Sequence, residues 1–117
     1  MDRNECVFVG RVSGAFKESI ANNGSPYIWF LLDVENKANA NSTLNNYHQH
    51  INIMCFKPKV IKYLKNVGLK GGNTVIIFGF VSTFNSEVHG KNIISNGINA
   101  NEIYVVKTQN NNDGTKN

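Results

Sequence analysis

Hydrophobic and polar residues alternate along most of this chain, and the period of that alternation changes once. From residue 4 to residue 12 it is two: Cys6, Phe8, Gly10 and Val12 fall on one face, Val7, Val9 and Arg11 on the other. That predicts a first strand, followed by a turn-rich stretch holding Gly14 and the run ANNGSP. Residues 27–35 predict a second strand, with Ile28, Phe30, Leu32 and Val34 facing one way and Tyr27, Trp29, Leu31, Asp33 and Glu35 the other. Residues 36–47 predict a polar loop. The segment HQHINIMCFKPK opens a third strand, with Gln49, Ile51, Ile53 and Cys55 on one side and His48, His50, Asn52, Met54 and Phe56 on the other.

The period then shifts to near 3.6. In KPKVIKYLKNVGLKGG, Val60, Ile61, Leu64 and Val67 make one apolar stripe, and Lys59, Lys62 and Lys65 recur on the solvated side. Pro58 suits the first turn of such a helix and Gly68 its end. Residues 73–84 return to period two, with Val75, Ile77, Gly79 and Val81 on one face and Ile76, Phe78, Phe80 and Ser82 on the other. NSEVHGKN is a hairpin tip, and a fifth strand runs irregularly over residues 93–106, broken near Asn96 and Gly97. Three strands, one short helix and two strands is the order of an all-β, five-stranded OB-fold barrel with its helix between strands three and four. A single helix argues against a doubly wound sheet.

A chain of 117 residues suits one domain with one core. The folded unit is expected over residues 1–107, with a short polar tail, expected to be disordered, over residues 108–117. No run of 18 apolar residues occurs and the start does not have the form of a signal peptide, so a cytoplasmic protein without a membrane partner is expected. Cys6 and Cys55 do not make a disulfide scaffold and read as reduced thiols. Twelve Lys and Arg against eight Asp and Glu give +4, a mild lean toward polyanions. Asn fills 20 positions, mostly in the presumed loops and the tail.

Catalysis finds little support. The acids Asp33, Glu35, Glu87 and Glu102 show no paired arrangement, and neither GxGxxG nor GxxxxGK[ST] occurs. His48, His50 and Cys55 look like metal ligands at first, but strand parity puts both histidines on the face opposite Cys55. No catalytic residue, metal site or cofactor is expected.

In order and spacing, NECVFVGRV, YIWFLLDV, INIMCFKPKVIKYLKNVGLKGGNTVIIFGFVST and ANEIYV resemble the bacterial and phage single-stranded DNA-binding protein family, over roughly residues 3–107. The matching features are Asn4 with Gly10 and Arg11, Phe56-Lys57 leaving strand three, Tyr63-Leu64-Lys65 in the helix, Gly79 in strand four, and Ala100, Glu102 and Ile103 in the last strand. The chain departs from the family where stacking tryptophans are usual. His50 takes one such place, Lys37 or Ala38 the other, and the aromatic near the end of strand four is displaced to Phe84. The acidic tail of many cellular members is missing, since only Asp113 is acidic after Glu102. A phage or other mobile-element member fits these losses.

The resemblance implies sequence-independent binding and protection of single-stranded DNA in replication, recombination or repair. It also implies a homo-oligomer, with a tetramer favoured and a dimer possible, and contacts with replication or recombination proteins. Such binding joins cations to phosphates and flat side chains to bases. Tyr27, Trp29, Phe56, Phe78, Phe80, Phe84 and His50 are the candidate base contacts, and Arg11, Lys37, Lys57, Lys59, Lys62, Lys65 and Lys91 the candidate phosphate contacts, the three helix lysines having a solvated face as their competing role. For Trp29 the competing role is packing. Phe78 and Phe80 divide between base contact and a subunit interface. Arg11 has a competing role as an ion-pair partner of Asp33 or Glu35. Two other readings stay open: a protein-interaction or primosome-type accessory module, and an RNA-binding barrel.

Overall fold

The computed structural model describes residues 2–36 and 47–106, with the backbone path alone at Tyr47 and residues 86–88. Five strands and one helix follow in the order β1 (Cys6–Ile20), β2 (Pro26–Asn36), β3 (Tyr47–Cys55), α1 (Pro58–Val67), β4 (Thr74–Val88) and β5 (Lys91–Val105). The strands close into a barrel in the order β1-β2-β3-β5-β4. All pairings are antiparallel except β3 with β5, which is parallel and short. The expected OB-fold is therefore the observed one.

The inward residues of each strand meet in one core. Ile28, Phe30 and Leu32 from β2, Ile53 and Cys55 from β3, and Val75 and Ile77 from β4 are fully or almost fully buried. Each such side chain contributes about 1.5–3 kcal/mol by leaving water. Helix α1 closes one end of the barrel with Ile61 and Leu64, joined by Leu69 just beyond its C-terminus. Tyr63, half-buried, anchors the helix to the last strand: its hydroxyl accepts the Val105 N–H at 3.0 Å. Gly68 ends the helix in the left-handed region, as expected. Val67, expected on the apolar stripe, is exposed at the last position of the helix.

Strands one, four and five reach further than their hydrophobic patterns suggest. β1 does not end at Val12; it runs to Ile20, carried over a register shift between Ser13 and Lys17 at which Gly14 takes positive φ. The turn is thus confined to residues 21–25, where the Ala21 N–H reaches the Ser25 carbonyl at 2.8 Å. β5 is likewise continuous through Asn96 and Gly97 and begins at Lys91. It pairs with β4 out to Val88 and Lys91, and His89 and Gly90, both at positive φ, form the two-residue turn of this hairpin. The β1 extension stays paired with β2 but sends only Phe16 against the core, and the start of β5 pairs with β4 alone, so no burial period marks either.

Val81 is the other departure. Its parity puts it beside Val75 and Ile77 in the core, yet it is 45% exposed, because β4 is already leaving the barrel as an arm. The bend starts at Gly79, where a Cβ would lie 2.4 Å from the Asn99 carbonyl oxygen and where the register with β5 shifts.

Candidate nucleic-acid interface

The outward faces of all five strands line up in one row. Lys17 on β1 pairs with Trp29 on β2, Trp29 with Met54 on β3, Met54 with Asn99 on β5, and Asn99 with Phe80 on β4. Paired positions share a face of the sheet, so a band of flat and amphipathic side chains crosses the barrel wall. Trp29 is half-buried and held on both sides. Its Nε1 donates to Asn52 Oδ1 at 3.1 Å, and Lys17 Nζ lies 5.6 Å from the ring centroid.

Beside the row, the rings of Tyr27 and Phe56 pack with centroids 5.0 Å apart. Together with Met54 they floor a hollow of about 490 Å³. Its walls are two projections of the barrel: Ile20, Ala21 and Asn22 at the β1–β2 tip, and Thr83, Phe84, Asn85 and Ser95 on the β4–β5 arm. Phe84 reaches back over Gly97. A Cβ at Gly97 would stand 3.0 Å from Phe84 Cε2 and 3.2 Å from the Asn52 carbonyl oxygen. The missing side chain is what lets the ring lie down beside Asn52. Thr83 and Asn96 join the two strands of the arm by a 3.3 Å hydrogen bond.

Of the residues expected to contact bases, Tyr27, Trp29, Phe56, Phe80 and Phe84 thus come to one side of the barrel. Phe78 goes elsewhere. It pairs with Val7 on β1 and packs edge-on against Tyr104 at 6.1 Å, within a patch that also exposes Val9. Phe78 and Phe80 belong to the same strand face, but the bend at Gly79 and the curvature of the wall turn them to different sides. The Tyr104 hydroxyl donates to Glu102, which holds the phenol above its ordinary pKa.

The cations are more scattered. Arg11 is exposed and shares a hollow with Asp33, Glu35 and His48. Its expected competitor role is taken in part by another residue, because Asp33 Oδ1 lies 2.7 Å from His48 Nδ1. His50 is exposed and pairs with Asp33 along the backbone. It stands at the end of β3 away from Phe56. Lys57 is exposed at the helix N-cap position, and Lys91 is exposed next to the β4–β5 turn. Lys37 and the tail over residues 108–117 lie outside the described residues.

Four residues of the site carry little signal in the sequence. Lys17 falls in what reads as a turn, so no face can be assigned to it. Met54 and Asn52 fall on the outward face of the third strand, and their neutrality gives no further signal. Gly97 reads as a break in a strand, whereas its role is to admit Phe84.

No protein-family model matches the chain, and no curated protein matches it. Solved structures do. The Plasmodium falciparum SSB in complex with ssDNA superposes with a TM-score of 0.72 at 17% identity, covering 91% of this chain and 95% of that one. The small single-stranded DNA-binding protein from Streptomyces coelicolor gives 0.65 at 18%, covering 91% and 96%. The mitochondrial single-stranded DNA-binding protein Rim1 of S. cerevisiae gives 0.67 at 17%, covering 94% and all 100% of that chain. At these identities the likeness establishes a shared fold, over nearly the whole length of each partner.

Proposed function

We propose that this chain binds single-stranded DNA without regard to sequence and protects it by occupying it. The observation that carries the reading is the outward row Lys17–Trp29–Met54–Asn99–Phe80, flanked by the Tyr27–Phe56 pair and bounded by two projecting hairpins. Aromatic faces accept any base, since every base has a π-face, so the row favours single strands without reading their sequence. A duplex keeps its bases stacked on one another and offers such a surface little. The shared fold supports the same reading, one of the similar structures being a complex with ssDNA.

Protection requires no chemistry. Bases stacked on Trp29, Tyr27 or Phe84 cannot re-pair, which suits replication, recombination or repair. The departure from the cellular family pattern at His50 favours a phage or other mobile element as the setting. The exposed patch of Val7, Val9, Phe78 and Tyr104 lies away from the row and favours contact with further copies of this chain, in a tetramer or a dimer. Dye-labelled oligo-dT and a duplex of the same length, titrated with the protein and followed by anisotropy, test the reading. Saturable binding of the single strand with little duplex binding is expected. Equal binding of both would refute it.

A further inference from the structure

Two hollows continue from the aromatic row toward helix α1, and they share two residues. The first, of about 410 Å³, includes Lys17, Glu18, Tyr27 and Trp29. The second, of about 270 Å³, includes Glu18, Tyr27, Lys62 and Lys65. Tyr27 is the ridge between them. A strand leaving Trp29 past Tyr27 would therefore meet Lys17 first, then the outer face of α1 with Lys62 and Lys65, spaced one helical turn apart. Lys17 and Lys62 are both exposed.

Lys65 is already engaged. Its Nζ lies 2.8 Å from Glu18 Oε1, with the two side chains 49% and 53% exposed. An ion pair this open to water is weak. A backbone phosphodiester has two anionic oxygens, as a carboxylate does, but it belongs to a polyanion whose neutralisation releases condensed counterions, and so it outcompetes a single exposed carboxylate for such a lysine.

We propose that Lys17, Lys62 and Lys65 form a phosphate track that carries single-stranded nucleic acid from Trp29 over α1, and that Glu18 is its built-in competitor, displaced from Lys65 when the strand binds. The proposal rests on the binding function above. Glu18 mimics the phosphate in the free protein: it keeps Lys65 extended along the track and lowers its attraction for unrelated polyanions. Binding exchanges one partner of Lys65 for another, so the contribution of this lysine to affinity is smaller than that of an unpaired one.

Labelled oligo-dT, titrated over a series of salt concentrations against the full chain and its variants, tests the track. Removing one lysine–phosphate pair lowers the slope of log affinity against log salt by about 0.7 for a single strand. Lys62→Gln is expected to lower the slope by about that amount and to weaken binding about threefold to tenfold at low salt, and Lys65→Gln to lower the slope by less and to weaken binding about twofold to threefold. Glu18→Gln should tighten binding about twofold to fivefold, since it removes a weak competitor. Lys70→Gln, on the turn beyond α1, controls for net charge and should leave the slope near that of the unaltered chain. If the unaltered chain binds while the two lysine variants keep its slope and affinity, the track is wrong and the binding function stands. If Glu18→Gln weakens binding, Glu18 is no competitor. If the unaltered chain binds no oligo-dT, the function and the track fall together.

Discussion

Trp29 Nε1 donates a 3.1 Å hydrogen bond to Asn52 Oδ1 on the neighbouring strand. An indole nitrogen can only donate, so the bond fixes both partners: the amide oxygen must face Trp29, and the amide NH2 must face away from it. The ring is thereby held in one orientation on the barrel wall before any ligand arrives. Such preorganisation raises affinity by removing an ordering cost at the moment of binding.

Asn52→Ala is accordingly expected to weaken oligo-dT binding about fivefold, the equivalent of one ordinary hydrogen bond, while the fold persists. Titration of the variant beside the unaltered chain checks this. Circular dichroism should show the barrel intact.

Gly97→Ala tests the seat of Phe84. The new methyl would press on Phe84 Cε2 at 3.0 Å and on Asn52. The ring can swing outward, because it sits on an arm that already leaves the barrel. Weaker binding, by about threefold to tenfold for the removal of one stacked base, is expected with a change in melting temperature of only a few degrees.

The outward patch separates assembly from binding. Val7 and Val9 are 60% and 56% exposed, beside Phe78 and Tyr104. A Val7→Lys and Phe78→Ser double variant should sediment as a smaller species than the unaltered chain. Its affinity for a short oligonucleotide that spans one barrel should change by less than about twofold, because neither residue touches the aromatic row.

Burial pushes the Cys55 thiol above its ordinary pKa, against a smaller opposing pull from the Lys57 backbone and charge. Above the ordinary thiol value of 9.0, the unfolded chain releases this proton while the folded chain keeps it, so the contribution is intact below that value and stability falls as pH rises past it. Urea unfolding at pH 8 and pH 10 should show the loss. Cys55→Ala, less stable at both values, should show a smaller difference between them.

Much of the fold is legible because burial leaves a period. Ile28, Phe30 and Leu32 alternate in sequence as they do in the barrel, and Ile61 and Leu64 carry the helical spacing into the cap. Where the strands bury few side chains the period disappears, and with it the second half of β1, which carries Lys17 and Glu18, and the start of β5. The site follows the same rule. Trp29, Tyr27 and Phe56 are legible because a large aromatic on the outward parity of a half-buried strand calls for a partner. The separation of Phe78 from Phe80 is not, since it depends on a bend at Gly79 and on which strands flank each ring. Nor is the division of the cations: Glu18 and Lys65 are far apart in sequence and meet only because α1 closes the end of the barrel at which β1 finishes.

Trp29 is the only tryptophan, so its emission reports on the centre of the proposed interface alone. Titration with oligo-dT at low and high salt is the most direct measurement of the central claim. Stacking on the indole predicts strong, saturable quenching at low salt, with a site size of several nucleotides and a lower affinity at high salt. Emission that stays constant while anisotropy shows the oligonucleotide bound would place DNA elsewhere on the barrel and contradict the account.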